Sequence, residues 1–115
     1  MVELVGAGEI TPFFFIQVKT TREGYTKRDG RLKVKVSPEA MSRLRAYPAP
    51  TYVVGVDEMQ EKGYITSANA GSPDVLASLP TTFELNCANL ERLWHEVREY
   101  WRQRDVDLTD SVFSA

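Results

Sequence analysis

The chain has 115 residues, 43% of them hydrophobic and 26% charged, a size and composition that fit one globular domain with one core. Aromatic residues at 10%, with seven glycines and six prolines spread along the chain, exclude a collagen-like repeat and a low-complexity linker. The formal net charge is −2, but residues 19–45 hold nine basic side chains against three acids, a local balance of +6 that leaves the remainder at −8.

Val2-Glu3-Leu4-Val5 reads as a short strand, ended by the turn residues Gly6-Ala7-Gly8-Glu9. The second strand, Phe13-Phe14-Phe15-Ile16-Gln17-Val18-Lys19, starts as a continuous apolar run, which suits a strand covered on both faces near the middle of a sheet. Together they predict a hairpin. Pairing Val5 with Pro12 across the turn sets Glu3 opposite Phe14 and Met1 opposite Ile16. After a polar loop with Gly24 and Asp29-Gly30, Arg31-Leu32-Lys33-Val34-Lys35-Val36 alternates strictly, as a strand with one wet face does. Arg31, Lys33 and Lys35 share that wet face.

Ser37-Pro38 is a helix start, with serine as N-cap, proline at the first helical position and Glu39 complementing the positive end of the helix dipole. Met41 and Leu44 share a face, and Pro48 and Pro50 force the helix to stop before them. Thr51-Tyr52-Val53-Val54-Gly55-Val56-Asp57 is then a buried strand reached through a helix, which predicts a right-handed crossover and a parallel pair. Residues 62–67 continue as its hairpin partner. Residues 68–79 read as loop with one short helical turn at 74–79, followed by the extended piece Thr82-Phe83-Glu84-Leu85. The last helix is capped by Asn86 or Asn89 and lines up Leu90, Leu93, Trp94, Val97 and Trp101 on one face. Glu91, His95 and Glu99 fall at i, i+4 on its outer face. The expected architecture is α/β: a mixed central sheet of about five strands with a β-hairpin, a β-α-β crossover and a long C-terminal helix. Residues 1–104 form this single domain, and residues 105–115 a polar tail.

The longest apolar run, Phe13-Phe14-Phe15-Ile16, is far below the roughly 20 residues of a spanning helix, and Met1-Val2-Glu3 is not the basic start of a leader. Neither a membrane span nor a signal peptide is expected. The lone Cys87 and lone His95 allow neither an intramolecular disulfide nor a Cys/His zinc set, which points to a reducing compartment, the cytoplasm. Glycine-rich phosphate loops, His-Glu-x-x-His and G-x-S-x-G are all absent from the sequence. What remains is Gln17-Val18-Lys19. Residues two apart on a strand project from the same face, where an amide oxygen can help to hold a divalent ion and an ammonium can orient water and offset phosphate charge.

The series Phe14-Phe15-Ile16-Gln17-Val18-Lys19-Thr20-Thr21, a basic loop, Leu32-Lys33-Val34-Lys35-Val36, a short helix and Tyr52-Val53-Val54-Gly55-Val56-Asp57 resembles the core of the PD-(D/E)xK nuclease-like superfamily. It looks most like an uncharacterised bacterial domain family with a Q-x-K motif on the second core strand. Leu90-Glu91-Arg92-Leu93-Trp94 and Tyr100-Trp101 resemble that family's C-terminal helix, so the resemblance covers roughly residues 2–104. It implies a restriction-endonuclease-like core, Lys19 as catalytic lysine, and Gln17 as a magnesium or manganese ligand in place of the usual carboxylate. The first catalytic acid and the first helix of such a core are missing from the pattern. Glu3, the only acid on the first strand, is the substitute candidate for both catalysis and metal binding. Loss of the helix implies an uncovered apolar surface at Phe13-Phe14-Phe15-Ile16, for a homodimer or a partner protein to cover.

The function expected is therefore a degenerate or minimal nuclease-fold domain that binds DNA or RNA without efficient cleavage. Arg22, Lys27, Arg28, Arg31, Lys33 and Lys35 supply the phosphate contacts and Tyr25 a stacking ring. The alternatives are a divalent-metal-dependent nuclease using Lys19, Gln17 and Glu3, and a structural dimerisation or protein-interaction module.

Overall fold

The structure, a computed structural model, describes residues 1–6, 11–69 and 73–104; the tail expected at 105–115 lies outside the described residues. The elements in chain order are β1 (Val2–Glu3), β2 (Phe13–Thr21), α1 (Pro38–Ala46), β3 (Thr51–Asp57), β4 (Lys62–Ser67) and α2 (Cys87–Gln103). The strands form one mixed sheet in the order β1-β2-β3-β4, with β2 and β3 parallel and both outer pairs antiparallel. The fold is α/β. No helix of the described residues is long and apolar enough to cross a membrane.

Burial on both faces follows from β3, whose apolar side chains alternate between two cores. Tyr52 and Val54 join Phe14, Ile65 and Val97 beneath α2, while Val53 joins Leu32, Val34, Val36, Met41, Leu44, Leu76 and Leu79 beneath α1. Gly55 lets the second layer close on the sheet. A Cβ there would lie 2.5 Å from Leu79 Cδ2 and 2.8 Å from Leu32 Cδ2. The Ser37 hydroxyl caps α1 by accepting from the Ala40 N–H at 3.2 Å, and the Asn86 amide oxygen caps α2 by accepting from the Asn89 N–H at 2.9 Å.

Four expectations are corrected. Residues 31–36 bury Leu32, Val34 and Val36 as the alternation predicts, but they do not form a fifth regular strand. Isolated bridges join Leu32 to Leu79 and Val36 to Leu76, and the unequal spacing leaves an extra residue on the 31–36 side. A tight turn from Leu32 O to Val34 N–H, 2.8 Å, accommodates it. The helical turn expected at 74–79 is replaced by these same bridges. The β1–β2 register is one residue away from the expected one: Val2 lies opposite Phe14 and Glu3 opposite Phe13, with Leu4 N–H donating to Pro12 O at 2.8 Å. Lastly, the buried stripe of α2 is narrower than its spacing suggests. Val97 is fully buried, and Leu93 and Trp101 pack beside it, but Leu90 is exposed and Trp94 lies only partly covered, with the Arg98 guanidinium 5.5 Å from its ring centre.

The apolar start of β2 is covered largely by the chain itself. Phe14 is buried, the Phe13 ring lies 4.5 Å from Trp101, whose Nε1–H donates to Phe13 O at 2.7 Å, and Phe15 stacks on Tyr47 at 4.2 Å. The extended residues before α2 lengthen the other side of the sheet. Ile65 N–H donates to Phe83 O at 2.9 Å and Leu85 N–H to Gly63 O at 2.7 Å, so the outer edge of β4 is occupied.

Candidate functional site

Gln17 and Lys19 stand side by side on one face of β2, opposite Val53 and Gly55 of β3, and both are half-buried. Neither side chain has a hydrogen bond or ion pair to a described residue. Glu3 is brought to their face by the shifted register, because residues directly opposite across an antiparallel pair share a side. It is nevertheless too far away: its partner Phe13 lies four positions from Gln17, about 13 Å along the strand. Among the described residues no three histidine, cysteine, aspartate or glutamate side chains come together. A hard cation such as magnesium or manganese needs several charged oxygens, and one neutral amide with a distant glutamate does not fit it.

One carboxylate on the same face is a residue that the sequence pattern did not single out. Asp57 ends β3 opposite Thr21, two positions along the same face from Lys19, and is buried. Its Oδ1 accepts from the N–H groups of Met59 at 3.0 Å and Gln60 at 3.2 Å, closing the β3–β4 turn. Tyr25 completes the cluster, with its hydroxyl 2.8 Å from that of Tyr64. Burial first, and then hydrogen bonds to Tyr64 and Asp57, push the Tyr25 phenol well above its ordinary pKa. Tyr25 is thus part of the packing, edge-on to Tyr64, instead of a ring open for base stacking. Asp57 serves a turn and a buried network, which its late position on an apolar strand gave no sign of.

The six basic candidates separate into two groups. Arg22 Nε donates to Glu58 Oε2 at 2.8 Å, and this hydrogen bond above all holds the Glu58 carboxyl below its usual range. Arg31 is half-buried and ties the 31–36 segment to the loop opposite, donating from Nε to Ser78 Oγ and from Nη2 to Ser78 O, each at 2.8 Å. Lys27, Arg28, Lys33 and Lys35 are exposed and form no ion pair with a described residue. Lys27 and Arg28 occupy the tip of an irregular hairpin, closed by Thr26 N–H to Arg31 O at 2.7 Å and Gly30 N–H to Thr26 O at 3.1 Å. Lys33 and Lys35 point away from the core and line one surface groove of about 450 Å³ with Glu23, Thr26, Ala77 and Ser78.

A second concavity, about 310 Å³, lies between α2 and the sheet, with Ile65, Phe83 and Leu93 along it and Arg92 and Glu96 from one side of the helix. The Tyr52 hydroxyl donates to Glu96 there, and burial together with that bond raises the Tyr52 phenol far above its ordinary value. Tyr52 and Glu96 are distant in sequence and meet only because α2 crosses β3. No known protein family, curated protein or solved structure matches the chain.

Proposed function

We propose that this chain is a nuclease-like core domain that holds nucleic acid on its basic outer layer and does not cut it. The observation that carries the reading is the disposition of four cations. The alternation that buries Leu32, Val34 and Val36 turns Lys33 and Lys35 into one open groove, beside the exposed turn that bears Lys27 and Arg28. Unpaired exposed ammonium and guanidinium groups are what a phosphate backbone displaces its counterions for, so affinity is salt-sensitive and largely independent of sequence. The reading takes up the PD-(D/E)xK likeness of the sequence, which implies a parallel pair with a helical crossover such as β2 and β3 form, and the cytoplasm is the compartment in which its single exposed thiol stays reduced. That no cluster of three metal-ligating side chains forms among the described residues, with Asp57 engaged in its turn, supports binding without hydrolysis.

Fluorescence anisotropy with labelled single-stranded DNA, duplex DNA and RNA tests the reading. Arg28→Ala with Lys33→Ala should weaken binding by at least about tenfold on every sequence tried. Unchanged affinity in that double variant would remove the basic layer as the footprint. Incubation with magnesium or manganese should leave plasmid and RNA intact; cutting that disappears in Lys19→Ala would replace this reading with an active nuclease.

A further inference from the structure

β2 has one paired edge and one that is mostly open. Phe15 N–H donates to Pro50 O and Thr21 O accepts from Glu58 N–H, both at 3.0 Å, so the odd-numbered residues of β2 direct their backbone groups toward β3. The even-numbered residues direct theirs the opposite way, where Pro12 O accepts from Leu4 N–H and Phe14 lies against Val2. β1 reaches no further along this edge. The N–H and C=O groups of Ile16, Val18 and Thr20 therefore face outward, with no strand of the described residues beside them. Val18 itself is 53% exposed, the most open apolar side chain of the sheet. An edge of this kind is a template for another strand.

We propose that a second copy of this chain occupies it, with β2 pairing antiparallel to the partner's β2 about a two-fold axis at Val18, so that two four-stranded sheets become one. The strand is complementary to itself in this register. Val18 meets the partner's Val18 and exchanges both backbone bonds with it, and Ile16 meets the partner's Thr20. On the other face Lys19 lies opposite the partner's Gln17, a neutral acceptor for the ammonium. An axis at Lys19 would instead place two ammonium groups directly opposite, which destabilises a strand pair. An axis at Gln17 would set Thr20 against the partner's Phe14, whose backbone groups β1 already holds. The shared segment is residues 16–20, bounded at each end by β1 of one copy. This pairing covers the apolar side chain that the chain's own elements leave open, and it is independent of the basic layer.

The full chain should elute with twice the mass of one 13.0 kDa protomer by light scattering at high micromolar concentration. Val18→Lys, which puts two ammonium groups on the axis while leaving the β2–β3 ladder intact, should return it to monomer mass with an unchanged far-ultraviolet spectrum. Cysteine pairing fixes the register even where that variant folds poorly. In a Cys87→Ser background, Val18→Cys should form a disulfide-linked dimer on mild oxidation, because opposed residues of a bonded antiparallel pair lie about 5.5 Å apart at Cα. Thr20→Cys should not, since its two-fold copies are more than about 13 Å apart. A monomer mass for the native chain, a dimer indifferent to Val18→Lys, or equal cross-linking at positions 18 and 20 would each overturn the proposal.

Discussion

Gly55 is a residue at which the sheet and its basic layer touch with no room for a side chain. Its missing side chain admits Leu32 and Leu79, so Gly55→Ala must displace both, and a loss of about 1–3 kcal/mol is expected in urea denaturation. A loss of only a few tenths would mean that the two leucines move aside freely. Tyr52 has a different consequence, in alkali. Burial and its bond to Glu96 raise the folded-state pKa, so folding favours the protonated phenol. The unfolded chain releases that proton as pH passes about 10; the contribution is complete below that pH and is lost as pH climbs toward the folded value. Tyr25 acts in the same direction. Tyr52→Phe should cost about 0.5–1.5 kcal/mol at neutral pH and give a shallower decline in stability above about pH 10. An identical alkaline decline in the variant would show that Tyr52 ionises equally in both states. Neither contact is visible in the sequence, since Gly55 and Leu79, or Tyr52 and Glu96, are separated by elements whose crossing no local pattern encodes.

Elements with their own local chemistry were legible. Ser37-Pro38 announces α1 and Pro48 ends it, because a hydroxyl acceptor, a fixed φ and a missing N–H act over a few residues. Ser37→Ala should therefore cost about 1 kcal/mol, and Met41→Ala, which empties the centre of the layer beneath α1, about 2–5 kcal/mol; thermal or urea unfolding measures both. Equal effects would mean that the cap, not the packing, holds the helix. The alternation at 31–36 gave the correct inward face yet not a strand, because its partner at residues 76–79 is one residue short and regular pairing fails between the two bridges. The β1 register departs from the expected one for a related reason. The pair Leu4 and Pro12 closes a longer loop than Val5 and Pro12 would, and loops of that length do not fix register as a two-residue turn does. A shift of one residue carried Glu3 across to the face of Gln17 and Lys19 without bringing it near them.

At the scale of the whole molecule, the sheet separates two surfaces of unlike character. One is a helix packed on Phe14, Tyr52 and Val54; the other is an irregular layer that is apolar inside and cationic outside. The +6 segment was plain in the sequence, but which of its charges are open was not. Of its six candidate phosphate contacts, Arg22 and Arg31 are drawn to Glu58 and Ser78 by long-range contacts, leaving Lys27, Arg28, Lys33 and Lys35. Four phosphate contacts set a measurable expectation. The most direct test is the affinity for a labelled DNA duplex across a salt series: log K should fall with log salt at a slope of about −3.6, roughly a hundredfold loss between about 50 and 200 mM, and Arg28→Ala with Lys33→Ala should reduce the slope by about 1.8. Absence of binding at the low-salt end, or binding indifferent to salt, would contradict the account.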